Sequence, residues 1–144
     1  YVESMETARE MWEMLKKSIN GIINKVNISN IQEVSMELFN ENLFRGRGLL
    51  VKAIMKSQQA SIQYTNVYAC LVGIINSKFP DIGRILVNRY IVMFQKNYKR
   101  NNKLQIQTSL EMIAHLINQQ VISEVIGFEI LLILLENATN DLKY

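Results

Sequence analysis

Apolar residues recur along this chain every three or four positions, in runs parted by short polar breaks, and that spacing predicts helices from end to end. A first helix over 4–26 places Leu15, Ile19, Ile22 and Val26 on one narrow stripe at 100° per residue, extended upstream by Met11 and Trp12. The break "NISN" (27–30) offers Ser29 or Asn30 as the N-cap of a second helix to about 42. "RGRG" (45–48) breaks the chain before a third helix that ends near 59. Thr65 or Asn66 opens a fourth, which stops before Pro80 because the residue preceding a proline avoids the helical region. Asp81 caps a fifth to about 98, "KRNN" (99–102) turns into a sixth that ends at Gln119 or Gln120, and Ser123 with Glu124 starts a seventh over 123–137.

Taken in pairs, these helices give hairpins over 4–42, 45–79 and 81–120, with the last helix left single. The hairpins and the last helix begin near Ala8, Arg45, Ile82 and Ser123, about 37 to 41 residues apart, close to the period of stacked HEAT-type hairpins. The expected fold is all-α, a HEAT-like helical hairpin solenoid (an α-α superhelix) in a single domain over 1–144. The seventh helix is apolar nearly all round, which implies that something further covers it: more repeats, a dimer contact or a crystal neighbour.

One feature of the first helix does not serve its core stripe. In "SINGIINKVNIS" (18–29), Lys17, Asn20, Gly21 and Asn24 fall on the side opposite the stripe, with Lys25 on its shoulder. Glycine there costs about 1 kcal/mol relative to alanine and packs against nothing in its own domain. A bare backbone on an outer face suits close approach by another chain, flanked by amides that donate and accept hydrogen bonds and by lysine charge. The same residues also read as a mild bend with solvated asparagines.

Composition narrows the class without naming a function. The chain has 144 residues with 49% apolar and 20% charged, the balance of a soluble globular domain, and only one proline and six glycines, which disfavours a sandwich or barrel. A net charge of +3 permits a nucleic-acid or acidic partner without indicating one. Cys70, the only cysteine, makes no internal disulfide and reads as a reduced core residue of an intracellular protein. The most apolar run, "VIGFEILLILL" (125–135), is about half the length of a membrane-spanning helix and contains Glu129. "YVESMETARE" lacks the basic-then-apolar order of a signal peptide, and with no initiator methionine the chain reads as a piece of something longer.

The stretches "LKKSINGIINKVNISNI" (15–31), "ENLFRGRGLL" (41–50), "VYACLVGIINSKFPDIG" (67–83) and "AHLINQQV" (114–121) closely resemble the nucampholin family of spliceosomal scaffolds and, more distantly, the middle domain of translation initiation factor 4-gamma. The resemblance runs through almost the whole chain in one order and covers about three and a half of the family's roughly five hairpins. It implies a non-enzymatic adaptor of pre-mRNA splicing, in the nucleus at the spliceosome and nuclear speckles. By the same resemblance its solenoid is expected to grip the DEAD-box ATPase of the exon junction complex, to hold the two RecA-like lobes apart in an inactive state and to deliver the ATPase to other spliceosomal proteins and pre-mRNA. The family's partner-binding edge includes the "NGxINK" segment, here Gly21, Asn24 and Lys25, the residues that the helical wheel places outside. No cofactor, membrane or small-molecule substrate is implied. "NATNDLKY" (137–144) stops where the family continues. The alternatives are a translation-initiation scaffold for the initiation-type helicase and an RNA-binding solenoid.

Other residues carry weaker chemistry. Lys96, Lys99, Arg100 and Lys103, with Tyr98 beside them, can contact RNA phosphates or form a wet interhelical turn. Arg45 and Arg47 read first as cross-links between hairpins. His115 has no cysteine or second histidine at ligand spacing, so no metal site is expected. No nucleophile–histidine–acid set, phosphate loop or HExxH pattern is present, which disfavours an enzyme. Glu10, Glu13, Glu37 and Glu41 read as solvated faces, and Met11, Met14, Met36, Met55, Met93 and Met112 as core filler.

Overall fold

A computed structural model describes the backbone of residues 2–141 and the side chains of residues 4–137. The elements are α1 (Val2–Asn24), α2 (Ile31–Phe39), α3 (Leu43–Ala60), a single 3-10 turn (Ile62–Tyr64), α4 (Thr65–Lys78), α5 (Pro80–Lys99), α6 (Lys103–Asn118) and α7 (Glu124–Asp141). No strand occurs among the described residues. The odd-numbered helices α1, α3 and α5 pack side by side in one layer, and α2, α4 and α6 pack in a second. Each turn crosses between the layers, so the molecule is a HEAT-like stack of helical hairpins. The apolar stripes of both layers meet in one core that holds Ile19, Ile23, Leu38, Leu50, Ile54, Leu71, Ile75, Leu86, Met112 and Leu116, all essentially inaccessible to water. Each such side chain contributes on the order of 1.5 to 3 kcal/mol relative to exposure.

The helix ends follow local chemistry, sometimes differently from the sequence expectation. "RGRG" does not break the chain: Asn42 caps α3 by accepting a hydrogen bond from the Arg45 N–H at 3.2 Å, so the helix starts at Leu43 and runs through both glycines. Gly46 is there because α1 crosses close by; a Cβ at this position would lie 2.8 Å from Ile19 Cδ1 and 3.2 Å from Leu15 Cδ2. Asp81 does not cap α5. Pro80 occupies the first turn, where its missing N–H costs nothing, and Asp81 pairs with Arg84 at 2.8 Å. Asn102 caps α6, accepting from the Gln105 N–H, and Asn101 takes the left-handed conformation (φ 54°) that closes α5. α2 ends at Phe39, three residues before the expected boundary at 42.

A buried polar knot ties four helices at the centre of the stack. Gln58 of α3 donates from Nε2 to Thr65 Oγ1 (3.1 Å) and to the Thr108 carbonyl (3.1 Å), and its Oε1 accepts from the Tyr90 hydroxyl at 3.0 Å. Burial pushes the Tyr90 phenol far above its ordinary pKa, so it remains a protonated donor. Among the described residues no buried side-chain polar atom lacks a partner.

The apolar stripe of α1 is only partly covered. Ile19, Ile22 and Ile23 are buried and Leu15 and Val26 half-buried, but Met11, Trp12 and Met14 are exposed and line an open cleft with Asn42 and Arg45 at the start of α3. Of the remaining methionines, Met112 is fully buried and Met55 and Met93 partly so, whereas Met36 lies on the outer face of α2, so the core-filling expectation fails for Met11, Met14 and Met36. α7 rests on α6 through Ile130 and Leu134 and leaves Val125, Phe128, Leu131, Leu132 and Leu135 exposed. Among the described residues no helix is long and apolar enough to cross a membrane.

Candidate partner-binding site

The last two turns of α1 turn one face inward and leave the other bare. Because Ile19, Ile22 and Ile23 fix the helix rotation against the core, Lys17, Asn20, Gly21 and Asn24 are all exposed. At Gly21 an added Cβ would meet nothing within 4 Å, in contrast with Gly46. Internal packing therefore gives no reason for glycine at 21. The side chains of Lys17, Asn20 and Asn24 make no hydrogen bond or ion pair with other described residues, so their donors and acceptors face solvent.

Gly21 also opens onto a shallow cleft between α1 and α2, about 520 Å³ in volume, which Lys17, Ser18 and Lys25 line from one side and Glu37, Asn40 and Glu41 from the other. From sequence alone Glu37 and Glu41 read as ordinary solvated positions. Instead, Glu37 holds Lys25 Nζ at 2.6 Å, and Glu41 accepts a hydrogen bond from the Ser18 hydroxyl. The pairings cross between helices that are not adjacent in register, and only their packing brings them together. Lys25 is thus a tethered cation. Both ends of the pair are about half exposed, at 51% and 45%, so the bond contributes less than about 1 kcal/mol and serves chiefly to aim the ammonium group.

The turn after α1 is locked by asparagine. Asn27 Oδ1 accepts from the Ser29 N–H, the Ser29 hydroxyl and the Asn30 N–H, while Asn30 returns a bond from Nδ2 to the Lys25 carbonyl and accepts from the Asn27 N–H. Asn30 occupies the cap position of α2 but uses its side chain on the turn. The signal for this was present in "NISN", where asparagine two residues before serine forms a side-chain turn. The lock sets where Lys25 and the end of α1 point.

This geometry makes a specific prediction at position 25. Lys25→Gln should lower stability by less than about 1 kcal/mol, because it removes one exposed pair. Lys25→Glu should cost more, because a second carboxylate then faces Glu37, and the two variants separate in a urea titration read by circular dichroism. Equal midpoints would show that the Lys25–Glu37 contact does not form in solution.

The other sequence candidates are placed apart from this face. Lys96, Lys99, Arg100 and Lys103 are exposed around the turn from α5 to α6, and Tyr98 packs on Phe94 with ring centroids 5.7 Å apart. Arg45 and Arg47 form no ion pair among the described residues; Arg47 instead sits 5.5 Å over the exposed Phe44 ring, so neither cross-links hairpins by charge. His115 is half-buried, and among the described residues no cluster of His, Cys, Asp or Glu could hold a metal ion. Cys70 is a partly buried free thiol.

Residues 16–144 match the model of the MIF4G domain. The chain is similar to the pre-mRNA-splicing factor cwf22 of Schizosaccharomyces pombe, at 51% identity over 97% of the chain and 16% of the relative. It is likewise similar to the pre-mRNA-splicing factor cwc22 of Aspergillus fumigatus, at 53% identity over 96% of the chain and 16% of the relative. The pre-mRNA-splicing factor CWC22 homolog of Danio rerio shares 52% over 96% of the chain and 14% of its own length. The chain thus spans about a sixth of the length of these relatives.

Proposed function

Because the chain belongs to the MIF4G-domain family, we propose that it is a non-catalytic scaffold of nuclear pre-mRNA splicing whose α1 edge grips the DEAD-box ATPase of the exon junction complex. The observation that carries this reading is Gly21, a helix-interior glycine with open space where a side chain would be, beside Lys17, Asn20 and Asn24, whose exposed side chains make no hydrogen bond or ion pair with other described residues. Three relatives at 51 to 53% identity that bear splicing-factor names support the splicing context. Nothing in the reading requires a side chain of this domain to do chemistry.

The mechanism is linkage. The solenoid binds one lobe of the ATPase through Asn20, Gly21, Asn24 and the tethered Lys25 and favours the open arrangement of the two lobes. ATP and RNA, which need the closed arrangement, are then disfavoured by the same coupling free energy. A scaffold that bound both arrangements equally would shift nothing.

The test is a calorimetric titration of this domain against the exon-junction ATPase, with the general translation-initiation ATPase as comparator. The expected result is at least a tenfold preference for the exon-junction partner, reduced in Asn24→Ala, together with weaker binding when ATP analogue and RNA are present. Equal affinity for both ATPases would favour a translation scaffold, and absence of binding to either would overturn the assignment of the α1 face.

A further inference from the structure

The stripe of α1 is a heptad seam that the domain covers over only part of its length. Met5, Ala8, Trp12, Leu15, Ile19 and Ile22 alternate spacings of three and four residues, the pattern with which one helix seats another. Ile19 and Ile22 are buried, whereas Met5, Met11 and Trp12 are 61%, 55% and 41% exposed. Beside Met11 and Trp12 the seam opens into a cleft of about 400 Å³ that Asn42 and Arg45 bound at the start of α3. The charges around it are sorted by sign. Arg9 and Lys16 stand on one shoulder of the seam and Arg45 on the other, and none of the three forms an ion pair among the described residues. At 100° per residue Glu6, Glu10 and Glu13 fall on the back of the helix. Glu41, which also lines the cleft, accepts a hydrogen bond from the Ser18 hydroxyl.

We propose that an acidic amphipathic helix of another protein docks along this open seam, with its apolar residues on Met11, Trp12 and Leu15 and its carboxylates toward Arg9, Lys16 and Arg45. Tryptophan, methionine and arginine are the residue types in which protein interfaces are enriched. The open section from Met5 to Leu15 is about 16 Å long at the helical rise, enough to hold the i, i+3 or i+4, and i+7 anchors of a docked helix. Its flanking charges choose the sign of the partner, as charges beside a heptad seam do. A second copy of this chain is the poorer match. Antiparallel pairing of two seams sets Arg9 and Lys16 against each other, parallel pairing sets them beside Met11 and Ser18, and neither brings opposite charges together. The seam lies on the other side of α1 from Gly21 and Asn24, so this assignment stands or falls independently of the ATPase.

Trp12 is the only tryptophan, so its emission reports on the seam alone. The experiment titrates the full chain with a synthetic peptide of about three heptads, leucine at the two seam positions and glutamate at the positions beside them, which also keep the peptide from pairing with itself. The same peptide with lysine for glutamate, and a scrambled acidic peptide of equal composition, serve as comparators. The acidic heptad peptide should shift the Trp12 emission to shorter wavelength and bind at least about tenfold tighter than the lysine peptide. Arg9→Gln/Lys16→Gln/Arg45→Gln should erase that preference, and the matched charge loss elsewhere, Lys52→Gln/Lys56→Gln/Arg89→Gln, should preserve it. All six side chains are exposed, and an unaltered circular dichroism spectrum confirms that each variant is folded. Equal binding of the lysine or the scrambled peptide, an unmoved Trp12 emission, or an equal loss of preference in the matched control would overturn the assignment. A chain that sediments as a dimer with its Trp12 emission already shifted would also overturn it, giving the seam to a second copy.

Discussion

Gly21→Trp should weaken binding of the exon-junction ATPase by about 100-fold, close to 2.7 kcal/mol, while leaving the domain as stable as before. The two halves of this expectation have separate physical origins. Stability is spared because nothing lies within 4 Å of a Cβ built at this position, so the indole projects into solvent from an otherwise unchanged helix. Affinity is lost because a partner that approaches the bare backbone of α1 meets a ring in the space that glycine leaves empty. Gly21→Ala separates the two effects further: it should raise stability by about 0.5 to 1 kcal/mol through helix propensity, and affinity should fall far less than with tryptophan. A Gly21→Trp protein that binds with undiminished affinity would remove this face from the interface, whatever the titration of the unmodified chain shows.

Gln58→Leu should destabilise the domain by about 2 to 4 kcal/mol, although leucine is close in size and better suited to an apolar core. The side chain is wholly buried, and its replacement strands the Tyr90 hydroxyl and removes one donor each from Thr65 Oγ1 and the Thr108 carbonyl. Orphaning a buried polar group costs on the order of 1 to 3 kcal/mol, a large share of the 5 to 15 kcal/mol that holds a typical domain together. Thr65 still donates to the Ile62 carbonyl and α6 retains its own hydrogen bonds, so Tyr90 carries most of the penalty. Tyr90→Phe alone should cost about 1 to 3 kcal/mol, and in that background Gln58→Leu should cost less than it does alone, since no hydroxyl is left to strand. Urea midpoints at constant m-value measure the cycle. Strict additivity would show that the two side chains do not share a bond.

Because α3, α4, α5 and α6 all contribute to this knot, the stack rests on a buried polar tie as well as on its apolar stripes. No residue of α1 takes part in that tie, so the knot does not constrain the outer residues of α1. Ile19, Ile22 and Ile23 hold the helix in rotation, and the opposite face is free to carry glycine and asparagine at a local cost that the core absorbs.

Local chemistry was enough to determine much of this molecule from its sequence. The 3.6-residue spacing of apolar positions gave the number and order of the helices, Pro80 fixed the junction between α4 and α5, and the same periodicity put Lys17, Asn20, Gly21 and Asn24 on the outer side of α1. These features depend on a few neighbouring residues, and backbone sterics settle them. Whatever depends on a second helix had to wait for the tertiary structure. "RGRG" has the composition of a break, yet Gly46 sits inside α3, because only the packed chain brings Ile19 and Leu15 against it. Met11 and Trp12 continue the apolar stripe yet stay exposed, and a stripe reads the same whether or not it is buried. The tethering of Lys25 by Glu37 and the four-helix bond of Gln58 join residues 7 to 50 positions apart. Periodicity within one helix fixes which way each side chain points, and only the packing of helices fixes what it meets.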